Sequence, residues 1–334
     1  MSETTIVGET STESGAKRWM RSASNSNLAP IVVALVLVSV VLSVMTPNFL
    51  TASNLTNIVT QSAVVGIAAI GATFVIITSG IDLSVGSNIA LSGLVGAIVA
   101  QTTGSGLLGI AVVVLVAIVV GAFNGASVAW LGLAPFIVTL AVMGMARGLT
   151  LQISQGQSVY GLPESLNWLG ASAIFDIKTS ALVTLLLFIV AHFVLSQTTF
   201  GHQIYAVGGN AEAARLSGIN VKRVIFAAYV IAGLTAGVAA IILLGRLDSA
   251  TPNAAIGTEL QVIAAVVIGG TSLFGGKGSM IGTLIGVLLI GVINNGLTLL
   301  NVSAFWVQFV QGALIFLAVL LDSFNSRRKR RSGR

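Results

Sequence analysis

The run "GGKGS" at residues 275–279 is the stretch that most invites a chemical reading, because a glycine-rich loop with a lysine can cradle phosphate. A phosphate loop requires G-x-x-x-x-G-K-[ST] after a strand. Here the first glycine position is Thr271, the residue after Lys277 is Gly278, and both flanks are apolar. The pattern fails, and Lys277 is expected in a tight turn instead. Other reactive groups are few. The chain has no cysteine and two histidines, which removes disulfides, thiolate nucleophiles and zinc–cysteine centres together. No His/carboxylate cluster has metal-ligand spacing, so no metal is expected. No nucleophile and base are assembled within the apolar segments, which argues against an enzyme. His192 reads as a buried, satisfied histidine, and His202 falls in a polar loop.

The carboxylates are equally telling. "SGIDLSVGS" puts Asp82 at a glycine-bounded turn. A carboxylate at the middle of a membrane is costly and marks ion coupling. At the end of a helix it can instead cap the next one together with Ser84, and this structural turn is the preferred reading. Glu259 and Asp322 also sit near segment ends, so an ion-driven carrier lacks its interior acids.

What the apolar segments do hold is neutral and polar: Gln61, Thr73, Asn124, Thr139, Asn294, Asn295, Gln308 and Gln311. Amides and hydroxyls can replace the water around a small uncharged solute without holding it tightly, so these residues are candidates for a path. Gln308 and Gln311, three apart, share one helix face. Each of the eight could equally bond another helix across a packed interface. Phe136, beside Pro135, could narrow such a path. Arg147 is the one cation inside an apolar segment and reads as a structural anchor near its outer end.

The elements that position these residues follow from composition. Of 334 residues, 55% are hydrophobic and 8% charged, against roughly 25% charged in a soluble domain. So few charges cannot cover a water-facing surface, so the chain is expected to be an all-α, polytopic membrane protein. A helical span takes about 20 mostly apolar residues. Ten candidates stand out: 29–46, 56–78, 84–101, 107–131, 135–153, 180–196, 224–245, 259–274, 280–300 and 304–322. The span 259–274 is short and glycine-rich. Residues 1–28 form a polar tail, read without a cleavable leader, 29–322 the membrane domain, and 323–334 a basic tail.

Charge sets the orientation. Ten spans put both termini on one side, with thirteen of the sixteen basic residues, among them Arg215, Lys222, Arg223, Lys277 and the tail "RRKRRSGR". Lys178 and Arg246 fall on the other. Such a bias places the crowded side in the cytoplasm, and it accounts for the net charge of +6 without nucleic acid. Outside, residues 155–178 and 246–258 are long enough for short surface helices and a docking face. The ladder Gly278, Gly282, Gly286 and the pair Gly233/Gly237 allow close helix approach, read as packing within the chain.

A polar island, residues 197–223, interrupts the hydrocarbon. Asn210 can cap a helix whose first turn holds Glu212, Ala211, Ala213, Ala214 and Leu216 favour it, and Gly218 suits its end. About two turns are too few to be stable alone. The helix must rest on its own membrane domain or dock into a groove on a cytoplasmic partner.

The stretch "GGNAEAARLSGINV" resembles the cytoplasmic coupling loop of the permease subunits of bacterial sugar ABC importers of the ribose-importer type. "GATFVIITSGIDLSVGS" (71–87), "PFIVTLAVMGMARGL" (135–149) and "IGGTSLFGGKGSMIGTLIG" (268–286) match the same family in order, so the resemblance runs from about residue 45 to 320. It implies a subunit of the bacterial inner membrane that pairs with a second permease, usually another copy of itself as a homodimer, with a heterodimer as the alternative. Each copy binds a cytoplasmic ATPase and takes sugar from an extracytoplasmic binding protein. ATP and Mg would be used by the ATPase, with no cofactor on this chain. Gly208, Gly209, Asn210, Glu212, Ala213, Ala214, Arg215 and Gly218 would form the contact that transmits the ATPase stroke. The family is similar in span count to the cobalamin-type importers, whose coupling segment also follows the sixth span. The sugar could be ribose, another monosaccharide or a polyol. The alternatives are a permease for another small solute such as branched-chain amino acids, which would need more charge near the path, and an ion-coupled carrier.

Overall fold

The computed structural model describes residues 28–174, 177–303, 305–313, 316–317 and 320. Nearly all of the first tail, the basic tail 323–334 and part of the candidate span 304–322 lie outside these residues. The long helices are α1 (Ala29–Met45), α2 (Ala52–Ile77), α3 (Val85–Thr103), α4 (Gly106–Ala129) and α5 (Pro135–Ser154). Strand β1 (Val159–Tyr160), the short α6 (Glu164–Ala171) and the hairpin β2 (Ala173–Ile174) and β3 (Ile177–Lys178) lead to α7 (Thr179–Gln197). Then come α8 (Thr199–Gly209), α9 (Ala211–Leu216), α10 (Val221–Leu247), β4 (Ser249–Ala250), α11 (Thr258–Ile268) and α12 (Met280–Leu299).

Helix starts are written locally by side chains that accept otherwise unpaired amides. Thr51 caps α2, Ser105 caps α4, Thr198 caps α8, Asn220 caps α10 and Ser279 caps α12. Seven helices among the described residues are long and apolar enough to cross a membrane, which makes the chain polytopic and all-α in its spans. Of these, α2 buries 89% of its most apolar stretch and α3 and α10 bury 72%, whereas α4, α5 and α7 bury 28%. The first three are therefore the core, and the last three turn wide apolar faces outward.

Close backbone approach holds the core together. A Cβ on Gly121 of α4 would lie 2.8 Å from Gly233 Cα of α10, and one on Gly233 would lie 2.5 Å from the Ala117 carbonyl. Gly282 and Gly286 of α12 press in the same way on Gly269 and Ala265. The glycine pairs thus serve packing within the chain, as expected.

Contacts along α2 fix the direction of its neighbours. From its first residues to its last, α2 meets α12 through Asn54 with Asn295, Gly66 with Val287 and Thr73 with Thr283. Helix α10 also runs against α2, with Tyr229 at Gly80–Ile81 near the end of α2. Helices α10 and α12 therefore point the same way, and the chain between them must return through the full thickness. The only helix it uses is α11, 11 residues long, about 16 Å at 1.5 Å per residue against a hydrocarbon core of about 30 Å. The expected span 259–274 is thus corrected to a half-length helix that stops at Gly269–Gly270, the latter at φ +90°, with irregular backbone on both sides. Such backbone is tolerated at membrane depth only where protein or a wet cavity covers it. Helix α1, at 17 residues, is also shorter than a full span.

At the end of the molecule where α10 finishes, the two segments expected outside are joined. Strands β1 and β4 pair antiparallel, Val159 with Ala250 and Tyr160 with Ser249. Gly170 of α6 packs on Gly245 of α10, and Asn167 bonds Asp248.

Candidate functional site

Two places carry the polar groups that packing leaves over, one beside the middle of α2 and the other at its C-terminal end. The first is a cavity of about 370 Å³, within the ~300–1,000 Å³ range of small-molecule sites. Gln61 and Ser62 of α2, Asn294 and Thr298 of α12, Arg246 of α10, Gln311, and Thr258 and Gln261 of α11 line it among apolar residues. Ala255 and Ile256 complete the wall, so the irregular segment ahead of α11 is covered by the cavity. The Gln311 amide donates to Asn294 Oδ1 at 3.0 Å. Arg147 stands behind the same segment and donates to the Pro252 and Ala254 carbonyls at 2.9 and 3.0 Å. It is the anchor the sequence suggested, and it pins the cavity wall.

Three of the expected path residues, Gln61, Asn294 and Gln311, therefore converge. The others do not. Thr73 shares a hydrogen bond with Thr283, buried between α2 and α12. Asn295 and Asn54 exchange amide bonds at 2.8 and 3.0 Å, which fastens the start of α2 to α12. Asn124 donates to Ser84 Oγ, and Thr139 donates to the Ile81 and Pro135 carbonyls. Phe136 and Gln308 are exposed and line no part of the cavity; Gln308 does not share the role of Gln311. These placements have one cause. A polar group facing a neighbouring helix finds a partner there, and only position in the bundle tells which face is which. Ser62, Arg246, Thr258, Gln261 and Thr298 were missed. Gln261 carried the same signal as Gln61, an amide inside an apolar run, and Thr298 follows Asn294 by one turn.

Asp82 is buried, and its Oδ1 accepts from the Ser84 amide (2.8 Å) and hydroxyl (2.7 Å). It is a structural turn, though it braces the residue ahead of α3 and does not cap the first turn. It lines no cavity.

The second place is the island. Asn210 Oδ1 accepts from the Glu212 and Ala213 amides, as expected of a cap, and Gly218 takes φ +85° after α9 ends. Arg215 pairs with Glu212 at 2.6 Å, and the guanidinium holds that carboxyl below its ordinary range. The preceding turn was missed: residues 199–209 form α8, capped by Thr198. The island has two faces. Gly208 and Ala214 are buried, whereas Gly209, Asn210, Glu212, Ala213, Arg215, Leu216 and Gly218 are exposed. Gly208 sits on the end of α2 so closely that any Cβ would strike the Ile77 carbonyl. That carbonyl also accepts from the Gly276 amide at 2.9 Å. Ser79 donates to the Gly208 and Phe274 carbonyls, and Tyr205 to the Gly278 carbonyl. Burial pushes the Tyr205 hydroxyl upward, so it stays a donor. Lys277 is exposed in its turn, its carbonyl bonded to the Ser272 amide.

The family described as branched-chain amino acid transport system / permease component matches residues 54–319. Over 318 residues the chain is 42% identical to the ribose import permease protein RbsC of Escherichia coli (strain K12), covering 94% of this chain and 98% of that protein. It is 44% identical over 305 residues to RbsC of Bacillus subtilis (strain 168), covering 88% and 92%. The D-allose transport system permease protein AlsC of Escherichia coli (strain K12) is 42% identical over 281 residues, covering 84% and 86%. No solved structure gives a significant match.

Proposed function

Since the chain belongs to the branched-chain amino acid transport system / permease component family, we propose that it is the inner-membrane permease of a sugar ABC importer and that its cavity is the solute's way through. Proteins similar to it are permeases for ribose, allose, L-arabinose and xylose. In this reading a separate ATPase provides the energy and a binding protein delivers the sugar.

One observation carries the mechanism: α2 is a single buried rod with the cavity beside its middle and the island at its C-terminal end. Gln61 and Ser62 line the cavity, and Ile77, about 22 Å further along at 1.5 Å per residue, holds Gly208 and Gly276. A push on the exposed face of α9 reaches Gly208, the Ile77 carbonyl and the 272–278 turn that leads into α12. Because α2 and α12 are both cavity walls, displacing their shared end reshapes the cavity. The island is thus a mechanical handle for a partner, and its own membrane domain is its seat.

The fold in this reading makes ten crossings, with α11 and its irregular flanks as the eighth and residues 304–322 as the tenth, in the manner of the cobalamin-type importers. Two copies pair, and both termini and the island face the cytoplasm. The exposed, mostly apolar faces of α4, α5 and α7 meet lipid or the second copy. A branched-chain amino acid, the rival substrate, needs a carboxylate for its ammonium group, and the cavity lining has none.

The test is reconstitution with the ATPase and binding protein in sealed vesicles. ATP-dependent uptake of a pentose or hexose is expected, and an Asn210→Cys side chain should react only with reagent on the ATPase side. Uptake of leucine with none of the sugars, or sugar movement by this chain without the ATPase, overturns the reading.

A further inference from the structure

Five side chains on the cavity wall, those of Gln61, Ser62, Arg246, Thr258 and Gln261, have no hydrogen-bond partner among the described residues, although the neighbouring Asn294 and Gln311 bond each other. Ser62 is the sharpest case. It is 6% exposed, its hydroxyl is buried without a partner, and Gly291 opposite leaves it room. Buried polar atoms are almost always satisfied, so the Ser62 hydroxyl leaves a place for a hydroxyl from a solute, while Gln61 and Arg246 are exposed and keep their polar groups free to meet one.

Arg246 gives the wall its chemistry. It belongs to the last turn of α10, and no carboxylate lines the cavity to neutralise it. Glu259, two residues from Gln261, turns away: its Oε1 accepts from the Gly257 amide and its other oxygen lies against Gly86. A guanidinium is a flat fork of five donors with no acceptor, and it matches pairs of oxygens side by side. On a neutral sugar such a pair is two vicinal hydroxyl oxygens. An acid would also fit the fork, but a charge-assisted bidentate pair is strong, and a conducting site must release what it binds. Amides beside the fork accept the hydroxyl protons that it cannot take.

Resting on the sugar-importer reading, we propose that Arg246 is the residue that selects the solute, by a forked hydrogen bond to two vicinal hydroxyls of a neutral monosaccharide, with Gln61, Ser62 and Gln261 completing its coordination. The position suits a first contact. It is at the end of the molecule opposite the island, where a delivered sugar enters, and its backbone carries the cap through Gly170.

The experiment uses the assembled importer in vesicles with saturating binding protein. Uptake is measured for whichever of D-ribose, D-allose, L-arabinose or D-xylose is carried, and for its 2-deoxy and 3-deoxy forms, with wild type, Arg246→Gln and Arg246→Lys. The same binding protein is present throughout, so its own preference cancels in the ratio of variant to wild type. Arg246→Gln should lower kcat/KM for the complete sugar about tenfold, the size expected of a hydrogen bond to a charged group. At least one deoxy form should change less than twofold, and Arg246→Lys, which keeps the charge and loses the fork, should fall between. A parallel loss for all three compounds in the Lys variant, or no loss in either variant, overturns the assignment while leaving the importer reading intact. If Arg246→Gln fails to insert, the Lys ratio decides alone. Failure of the wild type to carry any of these sugars would instead sink the importer reading.

Discussion

Gly208 and Gly209 are adjacent, chemically identical and predicted to fail in opposite ways. At Gly208 an added methyl group meets only backbone: the Ile77 carbonyl, the Gly276 nitrogen at 2.7 Å and the Ile77 carbonyl carbon at 2.8 Å, where ordinary contact begins at 3.4 Å. None of these atoms can swing aside as a side chain would. Either the end of α8 lifts off α2 or the Gly276-to-Ile77 hydrogen bond breaks. Overpacking of this kind costs about 1–3 kcal/mol, and the lost backbone bond adds roughly 1 kcal/mol, so Gly208→Ala should cost about 2–4 kcal/mol. At Gly209 a Cβ meets nothing within 4 Å, so Gly209→Ala should leave the fold unchanged, and a bulky Gly209→Trp should harm only a partner's docking. The assay pairs detergent Tm with sugar-stimulated ATP hydrolysis in the reconstituted importer. Gly208→Ala should lower both. Gly209→Trp should keep its Tm and lose the stimulation. Wild-type Tm and turnover in Gly208→Ala would refute the idea that the island is seated on α2. Stimulation retained in Gly209→Trp would refute the idea that its outer face is the handle.

Three further outcomes follow from the same geometry. Asp82→Asn keeps an oxygen for the Ser84 amide and hydroxyl, so transport should persist, whereas Asp82→Ala should destabilise the protein by about 1–3 kcal/mol; loss of uptake in a stably folded Asn variant would point to ion coupling. Arg147→Gln withdraws the clamp on Pro252 and Ala254 and should raise the KM for uptake while the Tm falls slightly; an unchanged KM counts against the clamp. The Glu212 carboxyl is held below its ordinary 4.5 by Arg215, so the pair's contribution is complete above that value and is lost only as pH falls through the lowered one. Between pH 6 and 8 the Tm of Glu212→Gln should therefore track wild type, and because the pair is fully exposed the two should differ little; a divergence in that window would show that Glu212 has another partner.

What could be read in advance was whatever a few neighbouring residues decide. Asn210, Glu212 and Gly218 mark where α9 starts and ends, and the spacing of apolar runs found the long helices. The half-length α11 was hidden because hydropathy averages straight across Gly269 and Gly270, while a helix is ended by conformation. The cavity was half legible. Thr73, Asn124, Thr139 and Asn295 look like Gln61 and Asn294 along the chain, and only the rotation of each helix within the bundle separates a packed amide from a free one. Arg246 was seen as a topological marker at a span end, since nothing nearby in sequence shows that α2, α11 and α12 close around it.

The two-residue ladder between β1 and β4 makes the cap at the end of α10 a yoke. It joins the segment after α5 to the segment after α10, and α6 leans on the same backbone through Gly170 and Gly245. In the proposed orientation, a protein that grips this yoke from outside cannot tug one strap alone. Any pull is shared with the turn bearing Arg246, so the arrival of a loaded carrier and the readiness of the guanidinium to let go would be felt as one event.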